Sequence, residues 1–162
     1  MKKSLLSLLV FMFAFTAYSQ SISKNAIGLR LGDNDGFGTE ISYQRGLSEN
    51  NRLELDLGWR SSDHIDAFRL TGLYQWVWNI EGGFNWYLGA GAGIGSVSYD
   101  ESHFGNDHDN DNFFGLVAGD VGIEYNFDFP LLLSLDFRPE IGFNDYNDDL
   151  GFDIGFGIRY QF

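Results

Sequence analysis

Apolar and polar residues alternate along most of the chain with a period of two. The clearest run is Leu150 to Phe162, in which Leu150, Phe152, Ile154, Phe156, Ile158, Tyr160 and Phe162 are large and apolar and the residues between them are Gly, Asp, Arg or Gln. Alternation of this kind is the mark of a strand with one oily and one wet face. The same reading gives eight segments: Lys24 to Gly32, Phe37 to Gln44, Arg52 to Arg60, Ala67 to Trp78, Phe84 to Ser98, Phe113 to Asn126, Leu131 to Phe143 and Leu150 to Phe162. No stretch after Gln20 carries a helical period. The connections also alternate in kind, since 33–36, 61–66, 99–112 and 144–149 are rich in Asp and Asn whereas 45–51, 79–83 and 127–130 are not. An antiparallel up-and-down meander puts the first set at one end and the second at the other.

The charges decide which face is which. Of the 23 acids, twelve lie in the Asp/Asn-rich connections and three in the other turns, Glu49, Glu81 and Asp128. The remaining eight, Glu40, Glu54, Asp56, Asp120, Glu124, Asp136, Glu140 and Asp153, all share the phase opposite to the apolar one. Arg30, Arg52, Arg60, Arg69, Arg138 and Arg159 have that phase too. Glycines ride with them: Gly89, Gly91, Gly93 and Gly95 alternate with Leu88, Ala90, Ala92 and Ile94, and Gly151, Gly155 and Gly157 flank Asp153 and Arg159. Small residues beside large charged ones belong on a crowded concave wall, and a barrel of about eight strands has room inside only for side chains. The uncharged face then points outward, which in water is an aggregation surface and in a bilayer is the required coat. The expected fold is all-β, an eight-stranded antiparallel up-and-down transmembrane β-barrel whose closure satisfies every strand edge. A soluble barrel of the lipocalin or avidin kind would invert the faces.

Composition narrows the setting. Lys2 and Lys3 precede an apolar run from Leu5 to Phe15, and Ala17 and Ser19 have the spacing of a signal-peptidase site, so residues 1–19 read as a cleaved export signal and 20–162 as one barrel domain. There is no cysteine, hence no lipid-attachment residue and no disulfide. The formal charge of −13 argues against nucleic acid or anionic lipid surfaces as partners.

Aromatic residues form two bands. Tyr43, Trp76, Trp78, Trp86, Tyr125, Phe127, Tyr160 and Phe162 lie toward the short turns, and Trp59, Phe68, Phe143 and Phe152 toward the other end, as interfacial girdles do. With its signal, its eight amphipathic segments, the Phe84–Gly93 segment and the terminal Tyr160-Gln161-Phe162, the chain resembles the small eight-stranded outer-membrane barrels of Gram-negative bacteria, in the forms seen in Bacteroidetes. The resemblance implies residence in outer-membrane lipid. It also implies that Phe156, Ile158, Tyr160 and Phe162 serve as the signal read by the barrel-assembly machinery. Both termini and the short turns then face the periplasm, and the acidic loops form an external crown suited to an extracellular partner.

The lumen charges Arg30, Glu40, Glu54, Asp56, Arg60, Arg69, Asp120, Glu124, Asp136, Arg138, Glu140, Asp153 and Arg159 are expected to form a buried ion-pair network that plugs the barrel. The alternative is a narrow or gated path for small solutes, with Arg30, Arg69, Arg138 and Arg159 switching among Glu54, Glu124, Asp136 and Glu140. An outer-membrane enzyme is a lesser alternative: His64, His103 and His108 are the only histidines, and Ser61, Ser62 and Asp63 beside His64 read as a polar loop, because a Ser-His-acid site is rarely built from sequence neighbours. Asp107, Asp109 and Asp111 have the alternating spacing of a calcium loop, but Asn112 stands in place of its turn glycine and Ala118 in place of its bidentate glutamate. This excludes an EF-hand-type site and leaves a weak loop site. The expectation is a monomeric, non-enzymatic envelope component with no cofactor.

Overall fold

Each alternating segment of the sequence becomes one strand. The computed structural model describes residues 22–32, 38–62, 65–99, 112–143 and 150–162. Its strands are β1 (Asn25–Leu31), β2 (Thr39–Gly46), β3 (Asn51–Ser62), β4 (Ile65–Glu81), β5 (Phe84–Tyr99), β6 (Asn112–Asn126), β7 (Leu131–Phe143) and β8 (Leu150–Gln161). Every strand pairs antiparallel with its sequence neighbours, and β1 pairs with β8, so the sheet closes into an eight-stranded barrel. The export signal expected at 1–19 and most of the Asp/Asn-rich connections lie outside the described residues.

Two strands run further than the pattern predicts. The connection expected over 61–66 narrows to 63–64, because β3 and β4 stay in register up to Ser62↔Ile65. Backbone pairing needs no apolar side chain, so a polar stretch can extend a hairpin as well as end it. At the opposite end β4 continues to Glu81, with a register shift between Asn79 and Glu81. The turn is closed by Gly82 at φ +55 and by the Asn79 amide, which donates to the Gly82 carbonyl at 3.0 Å and to the Phe84 carbonyl at 3.1 Å.

The faces sort as charge phase requires. Exposed large apolar residues line the outside of all eight strands, among them Leu29, Ile41, Leu55, Leu70, Leu88, Val121, Leu135 and Ile158. The arginines and acids of the alternate phase are buried inside, except Glu140, which is half-buried, and Arg60, which is exposed. One small apolar cluster, Leu73, Leu116 and Ala118 with Phe114 against it, also lies on the inner wall. Trp78 stacks on Trp86 with centroids 4.5 Å apart, and Phe84, Tyr125, Phe127 and Phe129 form a chain of ring contacts across the short-turn end.

Three local features hold the cylinder shut or loosen it. At the β1–β8 seam the Asn25 N–H donates to the Phe162 carbonyl at 3.2 Å and the Phe162 N–H to the Asn25 carbonyl at 2.9 Å. The Asn25 side-chain oxygen accepts from Tyr43 at 2.8 Å and from Arg45 at 2.7 Å, tying β2 to the same point. The β6–β7 pairing, in contrast, skips from Val121↔Phe137 to Ala118↔Glu140. Pro139 sits in that gap without an N–H to give, and Gly119 opposite leaves it space, since a Cβ there would be 3.2 Å from the proline ring.

Two inward glycines mark where strands approach most closely. A Cβ on Gly28 would lie 2.6 Å from the Arg159 Cα, and one on Gly91 would lie 2.8 Å from the Leu73 Cα. Both obstacles are backbone and cannot swing aside. Gly28→Val and Gly91→Val are therefore each expected to destabilise the barrel by about 3 kcal/mol or more. Gly142→Ala, where a Cβ meets nothing within 4 Å, should stay within about 0.5 kcal/mol. Urea unfolding in lipid vesicles, followed by gel mobility without heating, checks all three.

Candidate functional site

The interior of the barrel is the candidate site, and its chemistry is that of guanidinium and carboxylate. A barrel strand turns every second side chain inward, so a strand that carries charge at alternate positions delivers a ladder of charge to the lumen. Five arginines reach it. Arg30, Arg138 and Arg159 are 0% exposed, and Arg52 and Arg69 are nearly so.

Glu40 on β2 is the point where three walls meet. Its Oε2 accepts from Arg30 Nη1 at 3.1 Å and from Arg138 Nη1 at 3.4 Å, while its Oε1 accepts from Arg69 Nη2 at 2.6 Å. Arg30 also reaches Asp153 at 2.6 Å and grips Asp136 with both Nε and Nη2, the two donors converging on Oδ1. Arg69 extends to Glu140 at 2.8 Å, and Arg138 to Asp56 at 2.7 Å.

Glu54 on β3 is a second junction. Arg159 Nη2 donates to it at 2.9 Å and Arg138 Nη2 at 3.4 Å, and the amides of Gln44 and Gln75 donate at 2.5 and 3.1 Å. The remaining Arg159 donors go to Ser42 and Ser134. Toward the short-turn end Arg52 pairs with Glu124 at 2.7 Å, donates to the Gln75 oxygen at 2.6 Å and lies 4.9 Å over the Tyr87 ring. Asn85 completes Glu124 with a bond of 3.1 Å.

Room for these large groups comes from glycine. A Cβ on Gly155 would strike the Arg30 guanidinium, and one on Gly157 would strike Ser134 and Arg159. Gly32 lies under Asp153, whose carboxylate oxygens would be 2.8 and 2.9 Å from an added Cβ.

Of the thirteen lumen residues expected from phase, twelve enter the lumen. Arg60 does not: it is exposed at the end of β3, and among the described residues no ion pair joins it to the set. Phase fixes which side of the sheet a residue faces, but not its height, and Arg60 stands at the rim. The four proposed switching arginines do meet their acids, except that Glu124 is held by Arg52. Neutral members escaped the reading, namely Ser42, Gln44, Thr71, Gln75, Asn85, Tyr87 and Ser134, although each has the inward phase and is buried. Phe156, Ile158, Tyr160 and Phe162 all face outward and exposed, with Tyr160 stacked on Phe162.

The loop aspartates Asp107, Asp109 and Asp111 and all three histidines lie outside the described residues. Among the described residues no group of three or more His, Cys, Asp or Glu side chains is placed to hold a metal ion.

No protein-family model and no curated protein matches the chain. Solved structures do match its fold. The N-terminal β-barrel domain of Pseudomonas aeruginosa OprF superposes with a TM-score of 0.66 at 14% identity, over 86% of this chain and 98% of that one. Neisserial surface protein A gives 0.58 at 14% identity, over 85% and 94%. Ail, the attachment invasion locus protein of Yersinia pestis, gives 0.54 at 20% identity, over 86% and 97%. These neighbours are eight-stranded outer-membrane barrels, and the chain shares their architecture.

Removing the carboxylate shared by three arginines leaves buried cations short of a partner. Glu40→Ala is expected to destabilise the barrel by about 3–5 kcal/mol. Arg60→Ala should change stability by less than about 0.5 kcal/mol. Equilibrium unfolding by urea in phospholipid vesicles measures both.

Proposed function

We propose that the chain is an integral outer-membrane barrel that serves as a non-enzymatic envelope scaffold or surface-interaction protein, with a closed lumen and acidic loops turned outward. The observation that carries this reading is the burial of the lumen arginines. A guanidinium with no exposed surface has no water-sized space beside it, and Arg30, Arg138 and Arg159, on three different strands, are all buried in this way. An ion network this dense fills an eight-stranded interior instead of lining a pore.

Membrane residence is supported by the outward apolar coat, by the ring clusters at the short-turn end and by closure of the β1–β8 seam. Export through a signal at residues 1–19, recognition of Phe156, Ile158, Tyr160 and Phe162 by the barrel-assembly machinery, and a monomeric state in outer-membrane lipid belong to the same reading. The acidic connections, with twelve acids, suit an extracellular partner bearing cations or bridged by divalent ions. Two neighbours of the same architecture are described as a surface protein and as an attachment invasion locus protein.

A gated path is the second reading. It draws on Glu40 and Glu54, each shared by more than one arginine, so that one pairing can be exchanged for another.

Two measurements test the proposal. The protein should fractionate with the outer membrane and migrate differently in heated and unheated gel lanes; a soluble periplasmic fraction with no heat-dependent shift would overturn membrane residence. In planar bilayers it should be silent, and stable openings would replace the plug with the gated path.

A further inference from the structure

The lumen does not balance. Eight carboxylates of inward phase face five buried arginines, and seven of the eight lie within ion-pair distance of an arginine. Asp120 on β6 is the exception: among the described residues no arginine pairs with it. It is nonetheless 2% exposed, and its Oδ1 is buried with no hydrogen-bond partner.

Its one partner is an amide whose orientation is forced. Arg52 has only donors, so its Nε at 2.6 Å fixes the Gln75 oxygen toward itself. The Gln75 NH2 must then face the other way, where it donates to Asp120 Oδ2 at 2.5 Å and to Glu54 Oε2 at 3.1 Å. Two carboxylates thus share one neutral group. Glu54 has Arg138, Arg159 and Gln44 besides, and Asp120 has no further hydrogen-bond partner among the described residues.

The neighbouring charges leave Asp120 worse placed still. On β7, Arg138 stands in the gap opposite Asp120 and is committed to Glu40, Glu54 and Asp56, while Asp136, paired in register with Gly122 beyond the gap, is committed to Arg30. β3 supplies the anionic Glu54, and β5 supplies the backbone at Gly89 and the Tyr87 phenol. On β6 itself Glu124 is taken by Arg52, and on β8 Arg159 is turned to Glu54. Burial without a paired cation disfavours the ionised form of a carboxylate, which loses its hydration without compensation. With no three-ligand group among the described residues, a metal ion has no coordination shell here.

We propose that Asp120 is a proton-binding site of the lumen, occupied in the closed barrel at neutral pH and emptied when the barrel opens. The bound proton is what lets Arg138 remain on β2 and β3. An ionised Asp120 opposite it would draw the guanidinium toward β6 through the Arg138 Nε, which has no hydrogen-bond partner in the present arrangement, and away from Glu40, Glu54 and Asp56.

Infrared spectroscopy of the whole protein in phospholipid vesicles tests this directly. At neutral pH the wild type should show the carbonyl stretch of a neutral carboxylic acid. That band should shift when aspartate carries a carbon-13 side-chain carboxyl, vanish in Asp120→Asn, and persist in Asp56→Asn. Stability gives a second readout. The unfolded chain, whose aspartates are ionised at neutral pH, has released a proton that the folded barrel keeps, so stability falls as pH rises. The folding equilibrium constant should drop by as much as about tenfold per pH unit, and Asp120→Asn should remove that one-proton slope. A wild-type spectrum without the band, a band insensitive to the aspartate label, its loss in Asp56→Asn or its survival in Asp120→Asn would overturn the proposal. Should Asp120→Asn fail to fold, the label and Asp56→Asn decide.

Discussion

A closed ring of eight strands has an interior just wide enough for side chains to fill, so a charge there must find its partners chiefly among its neighbours on the wall. The rest of the molecule answers to that limit. Each guanidinium needs carboxylates placed in the plane of its donors, each carboxylate must serve several donors at once, and the wall must carry glycine wherever an arginine folds back on it. Glu40, Glu54, Gly155 and Gly157 are solutions of this one problem. A removed partner would expose a residual charge to low dielectric, so the network is constrained as a unit and not pair by pair.

The outer face obeys the opposite condition. Hydrocarbon provides no partner for an N–H or C=O, so the ladder must be continuous around the circumference. The β1–β8 seam meets this condition with paired backbone bonds and with Asn25 gathering Tyr43, Arg45 and the Phe162 carbonyl. Pro139 is the place where the ladder lapses. It faces Gly119, and the two inward residues of the same gap are Asp120 and Arg138, so an interruption in the wall and the least compensated carboxylate of the lumen share one position.

Much of this was legible in the sequence because one variable, phase, carries the fold of a membrane barrel. A strand bathed in lipid on one side and packed with charge on the other cannot slip by one residue, and the alternation in Leu150 to Phe162 therefore reports the face of every residue in it. Phase is silent about height, which is why Arg60 was misplaced at the rim. It is silent about polar tracts that keep pairing, which is why Ser61, Ser62, Ile65 and Asp66 read as a connection. Partners were the least accessible. Ring closure brings together residues far apart in the chain, as with Arg30 on β1 and Asp136 on β7, 106 positions distant and meeting across β8, and nothing local to either names the other. Gln75 and Gln44 went unnoticed because attention to charge passes over the amides that distribute it.

The convergence on Glu40 also bears on how the barrel is made. Its three arginines come from β1, β4 and β7, so the first hairpin can supply one of them and the other two arrive only when distant parts of the chain have been laid down and curled together. The full junction therefore exists only in the closed ring, where β1, β4 and β7 all stand around the interior that Glu40 enters, and an open sheet of the same strands could form no more than part of it.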